Sequence, residues 1–309
     1  MPLIGDKLQK DVRQWLSPPD PWKNYNLGRE SRHSGTGTWW TQSDSYAEWK
    51  CSGPSSLLWV NGKRQFFVRV FFPEADRYCL FSGCRKERHL VRLYHIVIVR
   101  TRELMLFGSS SIIEDITALQ KSGLASLAFF YFDFREDQKK DLRGLLSSLL
   151  VQLCEQSDAY SAILSEFYVA HRSGLQHASD SELLACLKDA LKLQGQATVY
   201  IIIDALDECP ITTGLLSHRE KVLDLVEELL DMQIPNLRIC ITSRPEADIV
   251  PVLEPLAFRS VSLHSESGQV QDIAEYIRFF VHTKRELRRW KETDKQLVID
   301  VLTKKADGM

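Results

Sequence analysis

The sequence predicts an α/β protein with three layers: a parallel sheet of about five strands, with helices on both faces, and an N-terminal helical and irregular lead-in. Three observations predict it. From residue 109 onward, apolar runs alternate with stripes of helical period. The runs are continuous rather than alternating, as strands covered on both faces require. The composition, 44% hydrophobic and 26% charged over 309 residues, is that of an ordinary soluble globular chain.

The elements follow in order. Residues 1–16 read as a short amphipathic helix with Leu3, Leu8, Val12, Trp15 and Leu16 on one face. Ser17-Pro18-Pro19-Asp20-Pro21 stops it, because proline removes donors and biases its predecessor toward extended backbone. Residues 22–50 are polar with clustered tryptophans (Trp22, Trp39, Trp40, Trp49) and read as a connecting segment laid on a core. Leu57–Val60 is a short buried strand ending in the turn Asn61-Gly62. Ser111 to Leu119 is helical, and 125–134 is a strongly apolar strand. Leu142, Leu145, Leu146, Leu149, Leu150 and Leu153 then form a helical stripe. Ser179 with Glu182, and Ser217 with Glu220, are capping boxes opening two more helices. Strands are expected at 199–204, 237–242 and 260–264, and closing helices at about 270–282 and 293–306. Three regions result: a lead-in at 1–54, a core at 55–265, and the start of a C-terminal helical region at 266–309.

Composition excludes several classes. There are 39 Lys and Arg against 41 Asp and Glu, which leaves −2 and no global pull toward nucleic acid or anionic membrane. Seven scattered cysteines argue against a disulfide framework and for a reducing compartment. No stretch is expected to span a bilayer; the most hydrophobic, 90–107, is broken by Arg92, Arg100, Arg102 and Glu103. The N-terminus has no secretory h-region. Charge is uneven, however. Residues 64–110 hold nine basic and four acidic residues, +5 within a chain of −2, so the remainder carries −7.

The strand ends carry the chemistry, since open α/β sheets bind ligands at their carboxyl edge. After 199–203 comes Asp204-Ala205-Leu206-Asp207-Glu208. A carboxylate at the tip of a buried strand suits Mg²⁺, a hard cation that takes oxygen ligands and keeps water. Asp207 and Glu208 could polarise an attacking water; the bland alternative is a polar loop before Pro210. After 237–242, Arg244 could reach a phosphoryl oxygen as a bidentate donor, or pair with Glu246 instead. After 57–60 come Asn61-Gly62-Lys63. A phosphate-binding loop, G-x-x-x-x-G-K-[ST], would need a second glycine, a lysine and a hydroxyl where Phe67, Val68 and Arg69 stand. Gly62 alone fits.

These stretches resemble the N-terminal nucleotide-binding part of fungal NACHT proteins, also described as nephrocystin-like N-terminal domains, within the STAND class of P-loop NTPases. Residues 15–50 (WLSPPDPWKNYN, then GTGTWWTQSDSYAEWK) are similar to the lead-in. SSLLWVNGK (55–63) resembles the first strand and the start of the P-loop. VYIIIDALDECP (199–210) resembles the Walker B strand, and NLRICITSRPE (236–246) the sensor strand. The resemblance implies a cytoplasmic ATP- or GTP-dependent signalling switch of the three-layer P-loop NTPase type. It implies Asp204 as the Mg²⁺ residue, Asp207 and Glu208 as the catalytic acidic pair, Arg244 as the γ-phosphate sensor and Gly62 at the phosphate.

The departure from the family is a break in the Walker A loop. In these proteins the first strand runs through a glycine-rich loop into a helix whose start resembles 110–116. Here residues 64–109 intervene, and read as a retained intron or misread frame, with a genuine insertion as the alternative. Nucleotide binding is therefore expected to be weak or absent. The relatives often continue into ankyrin or WD-type repeats; no such period is visible, and the chain reads as a fragment. A second reading is a non-catalytic oligomerisation or protein-interaction scaffold derived from an NTPase, with self-association and without nucleic-acid or membrane partners. Cys79, Cys84, His89 and His95 match no zinc-finger spacing. Trp39, Trp40 and Trp49 are expected to pack, Cys209 to have its thiol pKa raised by neighbouring acids, and His171 and His177 to face solvent.

Overall fold

Four apolar runs and the polar stretch Arg259–Ser262 become five parallel strands. The computed structural model describes residues 6–31, 38–62, 109–193, 195–211, 217–262, 274–275, 277–279, 281–283, 287–288 and 290–306. The strands are β1 (Ser56–Asn61), β2 (Ala125–Tyr131), β3 (Thr198–Asp204), β4 (Leu237–Ser243) and β5 (Arg259–Ser262). They pair in the order β2-β3-β4-β1-β5, all parallel. β2 and β4 are almost wholly buried, which explains their lack of alternation.

The helices around the sheet are α1 (Asp6–Leu16), α2 (Trp22–Ser31), α3 (Thr38–Thr41), α4 (Asp44–Cys51), α5 (109–121), α6 (Leu142–Cys154), α7 (Asp158–Ala170), α8 (Asp180–Leu191), α9 (His218–Asp231) and α10 (Val250–Leu256). Glu292–Ala306 is a further helix. Both expected capping boxes form, at Ser179/Glu182 and Ser217/Glu220. The strand expected at 260–264 is described at Arg259–Ser262, and its last two positions lie outside the described residues, as do the zinc candidates and residues 63–108.

The connections divide between two faces. Leu57, Trp59, Ala128, Phe130, Ile201, Ile203, Ile239 and Ile241 point to one face and meet α6 to α10. Leu58, Val60, Leu127, Phe129, Ile202 and Cys240 point to the other and meet α5 and the lead-in helices α2, α3 and α4. Thus β1→β2 crosses one face, whereas β2→β3, β3→β4 and β4→β5 cross the opposite face in the opposite direction. Right-handed crossovers demand this arrangement. The direction reverses between β1 and β4, and their carboxyl ends form the switch-point crevice.

Within the polar segment 22–50, read from sequence as a connecting segment laid on a core, the described residues form three helices, α2, α3 and α4. Its helices lack an apolar period, because isolated aromatics fix them. Trp40, Tyr46 and Trp49 are buried, and Trp49 packs edge-on to Tyr200 with centroids 5.6 Å apart while donating to the Ser56 carbonyl at 3.3 Å. The packing role expected of Trp40 and Trp49 holds. That of Trp39 concerns a side chain outside the described residues. His171 is buried, contrary to expectation: its ring lies 4.4 Å from Phe167 and 5.4 Å from Trp15, and Nδ1 meets the Phe167 carbonyl at 2.8 Å. α1 docks there, a contact invisible from the local turn sequence. His177 is exposed.

At the sheet edge, α6 turns two glutamines onto β2. Gln152 meets the Phe129 amide and carbonyl at 3.1 and 2.8 Å, and Gln156 meets those of Leu127 at 2.8 and 2.6 Å. Residues 127 and 129 share the outward edge, so the two side-chain amides occupy groups that a sixth strand would use.

Candidate functional site

The candidate residues come from the carboxyl ends of β1, β3 and β4. Asp204 ends β3 and is buried. Thr242 of β4 donates its hydroxyl to Asp204 Oδ1 at 2.6 Å and accepts from the Ala205 amide at 2.9 Å. A side-chain hydrogen bond from Ser109 reaches the same carboxyl. Burial raises the Asp204 pKa to about 7; the hydroxyl bonds oppose this, and the Asp207 and Glu208 charges add to it.

Beyond Asp204 the chain turns sharply. Ala205 has φ 55°, ψ 46°, a left-handed conformation unusual for a residue with a Cβ, and Leu206–Glu208 is a single 3-10 turn. The turn brings Asp207 to Arg244. The Arg244 amide donates to Asp207 Oδ1 at 3.0 Å, and Arg244 Nε lies 3.2 Å from Oδ2. The pairing with Glu246 considered from sequence is replaced by this one. Glu208 is half-buried; burial first, then the charges of Asp133 and Asp207, push its pKa up.

Gly62 follows β1, and its amide donates to the Ser243 carbonyl at 3.2 Å. That amide extends the β1–β4 ladder and is not turned toward a phosphate. Trp59 Nε1 donates to Ser243 Oγ at 2.9 Å, bracing the same corner. Gly62, Asp204, Asp207 and Arg244 therefore converge, with Glu208 next in the turn.

Four participants escaped the sequence reading, the Ser109 hydroxyl on Asp204 being the first. Arg219, in the first turn of α9, is buried and donates to the carbonyls of Asp207 and Cys209 at 2.6 and 2.9 Å and to both oxygens of Asp248 at 3.0 and 3.1 Å. Thr242 lies one residue inside a strand. Asp133, just after β2, is clasped by Arg135 at 2.8 and 2.7 Å, which lowers its pKa to about 2. The signal for Asp133 was present: 125–132 is an apolar run ending in a carboxylate, the pattern that singled out Asp204. Cys209 has its thiol raised to about 12, but by burial first, with the Arg219 charge opposing this and Asp141, rather than the acids of its own turn, adding to it.

The residues present fit a hard cation better than a phosphate chain. Asp204 and two hydroxyls supply oxygen donors, and Mg²⁺ asks few of a protein because it keeps its water. Among the described residues no group of three or more His, Cys, Asp or Glu is arranged to hold a metal. No helix among them is long and apolar enough to cross a membrane.

Residues 107–244 match the family model for Nephrocystin 3, N-terminal. This stretch is nephrocystin 3-like. The nephrocystin-like part covers just under half of the chain, begins where the basic segment ends, and includes β2, β3 and β4 with Asp204, Asp207, Glu208 and Arg244. The NACHT-like resemblance read from the motifs is borne out over that stretch. No curated protein matches the chain.

Proposed function

We propose that this chain is a NACHT/STAND-type nucleotide switch module, taking Mg²⁺ with ATP or GTP, and impaired in nucleotide binding because its P-loop is interrupted. One observation carries the reading: at the carboxyl ends of the neighbouring strands β3 and β4, Asp204 is bonded by Thr242, and Arg244 pairs with Asp207 of the turn that follows Asp204. In this reading Asp204, Thr242 and Ser109 face the cation. Asp207 and Glu208 are the acidic pair, and Arg244 answers the terminal phosphate. The cation would neutralise phosphate charge when bound. The chain's own residues hold and orient it and exclude water. Missing from the sequence is the G-x-x-x-x-G-K-[ST] loop, whose backbone amides and lysine would carry most phosphate affinity.

A second reading, an NTPase-derived scaffold that self-associates, is favoured by two features. The Gly62 amide is committed to the sheet, and Asp207 and Arg244 neutralise each other.

A fluorescent ATP analogue titrated at millimolar Mg²⁺ tests both. Binding no tighter than millimolar, weakened further by Asp204→Ala, is expected. Micromolar binding that Asp204→Ala abolishes would refute the impairment. Absence of any nucleotide response, with self-association in buffer alone, would favour the scaffold.

A further inference from the structure

We infer that Asp207 and Arg244 form a self-occupied latch: the carboxylate engages the guanidinium that a phosphoryl oxyanion would otherwise take. The inference rests on the nucleotide reading only for the chemistry of the incoming group; it concerns how the site is held closed.

Two arginines meet the same turn in different ways. Arg219 is saturated, with Nε, Nη1 and Nη2 all donating to Cys209, Asp248 and Asp207. It is a brace. Arg244 uses only its amide and the Nε side of its guanidinium, both on Asp207. Its side chain is 28% exposed, and among the described residues neither of its terminal amino groups has a hydrogen-bond partner. A guanidinium carries five donors in a rigid fork, and a phosphoryl group can accept two of them side by side. The fork of Arg244 is thus open while its charge is already neutralised.

Asp207 cannot follow a departing Arg244. Its carbonyl is fixed by Arg219 at 2.6 Å, the turn is anchored again at Cys209, and Ala205 sits in a left-handed conformation the surroundings must hold. An oxyanion therefore pulls Arg244 away from a stationary carboxylate, and the lost pairing subtracts from its affinity. Removing the Asp207 charge removes that opposition.

The test is calorimetric titration of inorganic pyrophosphate into the full chain at low salt and fixed Mg²⁺. Asn is nearly isosteric with Asp and still accepts the Arg244 amide. Asp207→Asn should bind pyrophosphate about three- to fivefold tighter than the parent, the worth of a partly exposed ion pair. The gain should vanish in Asp207→Asn/Arg244→Gln. No gain, no binding by Asp207→Asn, or a gain that survives Arg244→Gln overturns the latch. A second measurement needs no variant: phenylglyoxal should modify Arg244 but not Arg219 in the parent chain, and pyrophosphate should slow it. Preferential modification of Arg219, or no protection, also overturns it. If Asp207→Asn gains pyrophosphate affinity through Arg244 while the ATP analogue finds no site, the nucleotide reading falls and the latch stands. If the analogue binds and pyrophosphate shows no gain, the reverse holds.

Discussion

Gly144 shows how one missing atom sets a helix in place. It lies in the first turn of α6, its amide donating to the Asp141 carboxylate at 2.8 Å, and a Cβ there would sit 2.0 Å from the Gln138 carbonyl oxygen. The obstacle is backbone, so no rotamer relieves it. Gly144→Ala should cost about 2 kcal/mol or more, read from urea unfolding. Asp204 poses a different residue-scale problem. Burial raises its folded pKa to about 7, against an ordinary value of 3.8. A carboxyl whose folded pKa is raised favours the native state at low pH, and its contribution is lost as pH rises from about 4 through 7. Asp133 has the opposite sign: its contribution is present above its unfolded value and is lost as pH falls toward 2. The two windows do not overlap. Asp204→Asn should therefore raise Tm at pH 8 by about 5 °C and change it little at pH 4, in paired thermal melts.

Among elements, the join between α4 and α5 stands out because a single carboxylate serves both sides of it. Asp115 accepts from the Tyr46 phenol at 2.7 Å and from Lys50 Nζ at 2.8 Å. Tyr46 is buried, and burial followed by the bond to Asp115 pushes its phenol up. Asp115→Ala strands that hydroxyl and should cost about 2 kcal/mol in chemical unfolding; adding Tyr46→Phe should return part of it. None of this was legible in the chain, since 22–50 shows no helical period and its helices depend on Trp40, Tyr46 and Trp49 finding pockets elsewhere. α7 (Asp158–Ala170) was missed for a similar reason: its buried face consists of Tyr160, Ser161 and Leu164, too mixed to read as a stripe. The strands were legible because a covered parallel sheet leaves unbroken apolar runs. Asp204, Asp207, Glu208 and Arg244 were legible because they follow those runs directly. Thr242 and Arg219 were not, since their partners lie on other strands or across a loop.

At the scale of the whole molecule, the two ends of the nephrocystin-like match carry the argument. It opens at residue 107, beyond Glu103, the last charged residue of the basic segment, and leaves β1 outside although β1 sits between β4 and β5 in the sheet. Transcript sequencing across codons 60–115 should recover messages lacking the codons for 64–109, with a glycine-rich loop joining β1 to α5. A single continuous reading frame through every message would make the segment genuine. The sheet itself has unlike borders. On one side, the amides of Gln152 and Gln156 stand in for a missing neighbour; on the other, the described residues end in the four-residue β5. Among the described residues, strand-to-strand joining of two copies would find only the second border open, and a pair joined that way would present two stoppered rims to solvent. Growth by that route would halt at two, because a fibre would need both borders open.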